Sequence, residues 1–383
     1  MIILSPQLGI SPTATTGGET YDRELLKQFV KMGQDVKILL PKSKPAPTEI
    51  PGNLIDRTPV SHFVPPYTFN LFSIPWVFKK AWPWFTKARP YHNHQQFVLR
   101  IHSPEYLFFT GFLIKRLFPK TTLVVHYHLD QTDWLWTRMN RILLNMADAV
   151  IADSEFLKKQ LTERVGIDPQ KIHVIYCGVD VDSIKPEFNK GPALLQQQGR
   201  ALSKVKTVLF LGRFIERKRP DLAIEIFSKI HVKHPDTRLI MVGEGPMENK
   251  LRLQVAGYRL QGFVEFTGPL FGEEKLKRYH EADLFLFPSE KEGFVLVVLE
   301  AMAAGLPLVV PDSLGFPEAV ESGKNGYLAD PANIEDWVKK AEKILYSPIL
   351  QNSMRKYSRH LAETKFSWKT CARKNLKVYQ SLV

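Results

Sequence analysis

The segment Phe287-Pro-Ser-Glu-Lys-Glu-Gly-Phe-Val-Leu-Val-Val-Leu-Glu-Ala-Met-Ala-Ala-Gly-Leu-Pro307 concentrates side chains that can do chemistry. Glu300 is the only polar side chain among the 11 residues from Phe294 to Ala304. A carboxylate in such apolar surroundings must face water, a partner or a ligand; an exposed stripe or a salt bridge is the plain alternative. Glu292 stands eight positions earlier, so both carboxylates can look into one cleft at different depths. Two acceptors spaced this way suit a polyhydroxylated ligand such as a sugar nucleotide. His126 and His128 both end the apolar run from Thr121 to His128, where alternate residues share a face. Such a ring either serves a site or is satisfied locally.

The elements that position these residues follow from hydrophobic patterning. A strand ends at Phe287, a short loop carries Glu292 and Gly293, and a helix runs from about Phe294 to Ala304 before Gly305 and Pro307 stop it. Val295 to Leu299 has strand propensity, but its place between two strand-like runs and the glycine stop favour a buried helix. The N-terminal half alternates MIILSP, a glycine-containing loop, a helical pattern from Glu19 to Met32, and Asp35 to Pro41. Strand-like runs resume at Phe97 to His102, Thr121 to His128, Ala149 to Ala152 and Ile172 to Tyr176. Continuous apolar runs separated by helices indicate a parallel sheet covered on both faces.

A polar stretch from Ile184 to Ser203 predicts a linker. A second series follows at Val205 to Leu211, Arg238 to Val242, Val264 to Phe266, Leu284 to Phe287 and Leu308 to Val310. The expectation is an α/β chain of two doubly wound parallel-sheet domains, residues 1–188 and 204–366, with a cleft at the carboxyl ends of their strands.

At 383 residues, 44% hydrophobic and 24% charged, the composition excludes disorder, collagen and small disulfide scaffolds. Cys177 and Cys371 are the only cysteines, without CxxC or Cys/His spacing, so no disulfide framework or metal site is expected and a reducing cytoplasm is the simplest compartment. No run approaches the length of a membrane-spanning helix, and the first residues lack the basic start and long apolar core of a signal peptide.

The formal charge of +13 asks for an anionic partner: nucleic acid, a phosphate-bearing substrate or an acidic lipid surface. It is spread evenly between the halves except in residues 57–104, which hold no acid, six basic residues and 11 of the 43 aromatics. Tryptophan, phenylalanine and lysine mix there as in interfacial membrane segments. A helix burying its aromatics in the core is the equal alternative, with Pro75 and Pro83 expected to shorten it. No nucleic-acid module accompanies the charge.

The Phe287 to Pro307 frame resembles the signature of retaining GT-B glycosyltransferases, particularly the family 4 group: a glutamate, seven residues and a second glutamate in P-S-x-x-E-G-F-x-L-V-V-L-E-A-M-A-x-G-x-P. Val295 departs from it, standing where the family has a small residue or proline beside the donor phosphates. Gly212-Arg213-Phe-Ile-Glu-Arg-Lys218 is similar to the family's G-R-x-x-x-x-K segment. Gly243-Glu-Gly-Pro246 resembles its glycine-rich turn, and Phe266-Thr-Gly268 the segment whose backbone reads the base. Gly17-Gly18 resembles its first loop, where glycine lets the backbone approach a phosphate at a helix N-terminus. In the V-x-x-x-H segment His128 aligns beside the reacting sugar, and His126 is left as a satisfied strand-end residue. Tyr176-Cys-Gly-Val-Asp180 resembles the N-G-V-D turn, with Cys177 replacing asparagine. Asp180-Val-Asp182 superficially matches a metal-binding D-x-D and is discounted.

The resemblance implies a metal-independent hexosyltransferase taking a UDP- or GDP-sugar, with no cofactor, and a crossover helix over residues 367–383 packing on the N-terminal domain. It implies that Glu300 holds the ribose hydroxyls and Glu292 a donor-sugar hydroxyl. Arg213 and Lys218 then stabilise the diphosphate, helped by amides of Gly18, Gly293 and Phe294. The donor set is completed by Gly17, Gly243, Gly268 and Val295. The acceptor implied is a sugar, glycan or glycolipid bound mainly by the N-terminal domain. Residues 57–104 are open to an anionic membrane surface, which would make the enzyme cytoplasmic and peripheral. The alternatives are a non-catalytic sugar-nucleotide or glycan-binding partner, and an epimerase or phosphorylase on the same architecture.

Overall fold

Every residue of β1 (Ile2–Pro6) is buried, as a parallel strand covered by helices on both faces requires. The structure, a computed structural model, describes residues 1–12, 17–58, 70–85, 97–102, 104–128, 134–187, 205–290, 292 and 296–383. They divide into two units, Met1–Gly178 with Trp368–Val383, and Val179–Ser367.

In the first unit β1 is joined by β2 (Asp35–Pro41), β3 (Ile55–Thr58), β4 (Phe97–His102), β5 (Thr122–Tyr127), β6 (Ala149–Ala152) and β7 (Ile172–Val174). All pairings are parallel, in the order β3-β2-β1-β4-β5-β6-β7. The second unit holds β8 (Lys206–Leu211), β9 (Thr237–Val242), β10 (Val264–Gly268), β11 (Leu284–Leu286), β12 (Leu308–Pro311) and β13 (Gly326–Ala329), also parallel, in the order β10-β9-β8-β11-β12-β13. Each sheet is doubly wound, and its order reverses between β1 and β4 or between β8 and β11. Ligands of such sheets bind outside the carboxyl ends of the strands at that reversal. These are the two Rossmann-like domains of a GT-B fold.

Two edge strands escape the hydrophobic pattern. Only Thr58 of β3 is buried, so the strand shows no apolar run. β13 opens on Gly326, where a Cβ would stand 2.2 Å from the Leu308 carbonyl oxygen; close backbone packing, rather than side-chain burial, specifies it. The expected linker begins on the second unit: Arg359 donates to the carbonyl of Ile184 at 2.5 Å, and His280 Nε2 is 2.7 Å from that of Lys185. Residues 188–204 lie outside the described residues.

The helix Asn70–Phe85 runs through both Pro75 and Pro83, so the prolines do not shorten it as expected. Its buried face compensates: Val77 is fully buried, Trp76 nearly so with its indole donating to Asp56 Oδ2 at 2.7 Å, and Phe78 packs edge-on against Phe118. Lys80 pairs with Asp56 at 2.8 Å, and the Arg57 guanidinium bonds the carbonyls of Pro41 and Lys44. Trp76, Val77 and Phe78 thus pack inward, while Leu71 of the same helix is exposed. The side chains of Trp82 and Trp84 and residues 86–96 lie outside the described residues.

Arg100 also belongs to that acid-free stretch, yet it sits wholly buried in the middle of β4. A guanidinium there requires a counter-charge. Asp22, on the helix Gly17–Lys31, receives Arg100 Nη2 at 2.5 Å on Oδ1 and His102 Nδ1 on Oδ2. The helix Trp368–Ser381 packs on the same helix through Phe29 and Tyr379, with Trp368 edge-on to Tyr21. A Cβ at Gly178 would fall 2.5 Å from the Trp368 Cα, so glycine is needed where the two chain segments meet.

Burial alone would raise the pKa of Asp22, but Arg100 and His102 outweigh it and hold the carboxyl below the ordinary aspartate range. With the folded pKa depressed, this stabilisation is fully present above the unfolded value of about 3.9 and is lost as pH falls through the folded value. Asp22→Ala leaves Arg100 uncompensated and is expected to destabilise the first unit by about 3–5 kcal/mol at neutral pH. Denaturant melts across pH check this: the deficit of the variant should shrink as pH drops below roughly 4.

Candidate active site

The loops leaving the carboxyl ends of β8 and β11, neighbours at the reversal of the second sheet, carry Arg213, Glu216, Arg217, Lys218 and Arg219 on one and Glu290 and Glu292 on the other. The β8 loop is held by backbone packing. Phe214 is fully buried, its N–H donates to the Glu244 carbonyl at 2.8 Å, and its carbonyl accepts from Met247 at 3.1 Å. Gly243 has φ +138°, and a Cβ there would lie 2.0 Å from the Gly212 carbonyl oxygen; only glycine lets the turn come so close. Gly243 N–H in turn donates to the Gly268 carbonyl at 3.0 Å. Gly243 and Gly268 therefore back the loop.

Lys218, in the short turn Glu216–Lys218, forms an ion pair with Glu292, both side chains nearly buried. The Arg217 guanidinium reaches the same Glu292 Oε1 at 2.9 Å, and the Ser289 hydroxyl lies 2.8 Å from it. The two loops are further tied by the Glu290 N–H donating to the Arg217 carbonyl at 2.9 Å and by the Arg219–Glu290 pair. Burial holds the Lys218 ammonium below the ordinary lysine range; Glu292 works against the shift, while Arg217 and Arg213 add to it. Arg213 is exposed. Lys218 Nζ also stands 5.1 Å from the centre of the Phe287 ring.

Glu300 lies on the helix Leu296–Ala303 in a second polar cluster. Lys275 Nζ approaches Oε1 at 2.9 Å, and the Tyr279 hydroxyl donates to Oε2 at 2.8 Å. Burial, and then the Glu300 charge, push the Tyr279 phenol up. The carboxylate is thus paired as the salt-bridge alternative required, and one-fifth of its side chain stays accessible. Gly293, Phe294 and Val295 lie outside the described residues.

In the first unit Gly17 and Gly18 open the helix Gly17–Lys31. A Cβ on Gly18 would come within 3.3 Å of His102 Cε1, whereas nothing crowds Gly17. His128 follows β5 by one residue, and its Nδ1 lies 3.3 Å from Asp153 Oδ2. Its ring packs 4.2 Å from Tyr21 and 4.8 Å from His102, centre to centre. Burial keeps the His128 imidazole below the ordinary histidine range despite the opposing Asp153. His126 is fully buried between the hydroxyls of Tyr21 at 3.0 Å and Tyr379 at 2.7 Å, a locally satisfied ring. Asp180 caps its own turn, accepting from the N–H groups of Asp182 at 3.1 Å and Ser183 at 3.0 Å.

Of the residues picked from sequence, Arg213, Lys218, Glu292, Gly243 and Gly268 gather around one pair of loops, Glu300 occupies the second cluster, and Gly17, Gly18 and His128 belong to the first unit. The structure adds Arg217, Ser289, Lys275, Tyr279, Asp22, Arg100 and Asp153. Lys275 and Tyr279 stand four apart on one helix face, a spacing that could have flagged them. Arg100 is a charge inside an apolar strand run and Asp153 one directly after another, which also signals burial with a partner.

The family model for glycosyl transferases group 1 matches residues 194–361, and that for glycosyltransferase family 4 matches residues 15–183. Spore coat protein SA of Bacillus subtilis is 28% identical over 67% of this chain and 71% of its own length. The sulfoquinovosyl transferase of Arabidopsis thaliana is 27% identical over 72% of this chain, and the match spans only 55% of that protein. The crystal structure of Anabaena HepE in complex with UDP superposes with a TM-score of 0.77 at 19% identity, covering 99% of each chain. With one family model on each unit and a GT-B architecture throughout, the chain belongs to the glycosyltransferases of the group 1 and family 4 type.

Proposed function

We propose that the protein is a retaining, metal-independent hexosyltransferase that takes a nucleoside diphosphate sugar, UDP- or GDP-linked, in its second unit and a sugar, glycan or glycolipid acceptor in its first. The observation that carries this reading is the nearly buried Lys218, flanked by Arg213 and Arg217 at the reversal of the second sheet. A diphosphate is the ligand that such a cation group satisfies. Its charge grows as the glycosidic bond breaks, so a cation fixed there stabilises the transition state more than the ground state.

Glu292 restrains Lys218 until the donor arrives. Phosphate oxygens then take over Lys218 and Arg213, and Glu292 Oε2, which holds none of the three bonds made by Oε1, accepts a hydroxyl of the donor sugar. Glu300, oriented by Lys275 and Tyr279, accepts the ribose hydroxyls. In the first unit the neutral His128 serves the reacting sugar. The acceptor attacks from the face the nucleotide leaves, with the departing phosphate helping to remove its proton. Charge compensation by Arg213 and Lys218 makes a divalent ion unnecessary to this scheme.

Lys218→Ala should cut turnover by about 10²–10³-fold, as loss of one transition-state donor does. The fold should persist, because Arg217 and Ser289 still hold Glu292. Steady-state kinetics with a UDP- or GDP-sugar, alongside thermal unfolding, checks this; wild-type turnover removes the phosphate assignment. Glu300→Ala should weaken nucleotide binding by roughly 10–100-fold, the worth of hydrogen bonds to a charged group. Unchanged affinity by calorimetry means the ribose is misplaced.

A further inference from the structure

The ends of β5, β6 and β7 bring together three side chains that sequence spacing does not connect: His128, Asp153 and Cys177. One potential ligand atom from each lies within 4.8 Å of the others. All three belong to the first unit, Asp153 and Cys177 are buried, and His128 is largely so. We propose that His128, Asp153 and Cys177 form a binding site for a zinc-class divalent cation.

The donor set fits such an ion. Thiolate, imidazole and a single carboxylate match zinc or cobalt, whereas magnesium and calcium need more oxygens. Ligand atoms bound tetrahedrally at the usual zinc distances lie roughly 3.3–3.8 Å apart, so small side-chain rotations close the set. The ring nitrogen that faces the cluster is Nδ1, 3.3 Å from Asp153 Oδ2. The charges also balance: a bound thiolate and Asp153 carry two negative charges, which a divalent cation neutralises within a buried pocket. Outer support is present, since the Ser154 hydroxyl donates to Asp153 Oδ1 at 3.2 Å and the Tyr21 ring packs on His128.

On binding, the Cys177 thiol gives its proton to solvent, and His128 coordinates through one ring nitrogen while the other keeps the proton. Three protein ligands leave the fourth position to water. No oxidation is involved. Occupancy withdraws His128 from the reacting sugar, so the cation inhibits transfer. That consequence rests on the role given to His128 above; the binding itself does not.

Titration of the full chain with cobalt(II), in buffer free of thiols and chelators, tests the site. The expected result is a thiolate-to-cobalt charge-transfer band that zinc abolishes, that is lost in Cys177→Ser and that is kept in Cys371→Ser. Absence of the band in the wild type, or its survival in Cys177→Ser, overturns the proposal. Zinc should also raise the thermal midpoint of the wild type and leave that of Cys177→Ser unchanged, a control on its folding; equal shifts in both count against the site. Zinc should inhibit transfer by the wild type at concentrations at least about tenfold lower than those needed for Cys177→Ser. If the cobalt band behaves as expected and transfer ignores zinc, the site stands and the catalytic role of His128 falls.

Discussion

The ion pair between Lys218 and Glu292 is the interaction on which the proposed chemistry of the second unit depends. It links loops from two strands that are neighbours in space but distant in sequence, and it does so where the sheet order reverses. A nearly buried ammonium needs a counter-charge at all times. The glutamate meets that need inside the protein, and a diphosphate can meet it more fully. The same contact therefore ties the loops together, and in the function proposed it is the one that yields to the donor diphosphate. Phe214 and the backbone approach of Gly243 to Gly212 hold the loop independently of that ion pair.

The first unit solves a related problem with different residues. Arg100 inside β4 obliges Asp22 to stay ionised, and Asp22 in turn fixes His102 beside Gly18. Tyr21, one residue from Asp22, bonds His126 and packs on His128. A single helix thereby sets the rings of three histidines. The helix Trp368–Ser381 completes the arrangement by supplying Tyr379 to His126.

Much of the site was legible because its residue types are improbable where they stand. A lone glutamate in an apolar helix and an Arg–Lys pair just past a buried strand both ask for a partner, and both lie in the polar clusters of the second unit. The parallel sheets were legible from continuous apolar runs, whereas β3 and β13 were not, since half-buried edge strands leave no such run. Arg100 was counted with a basic surface because composition does not distinguish a charge in water from one paired across 78 positions of sequence. The partners of Glu300, and the meeting of His128, Asp153 and Cys177, arise from strand order and helix packing, which no linear spacing encodes.

If Lys218 is shared between Glu292 and the donor diphosphate, weakening the internal partner must favour the external one. Calorimetric titration of UDP and GDP into the wild type and into Glu292→Gln measures this directly, because the amide keeps the shape of the carboxylate and removes its charge. The nucleotide that binds should bind the variant about tenfold more tightly, close to 1.4 kcal/mol. Equal or weaker binding would contradict the account, since Lys218 would then not be the group that receives the phosphates.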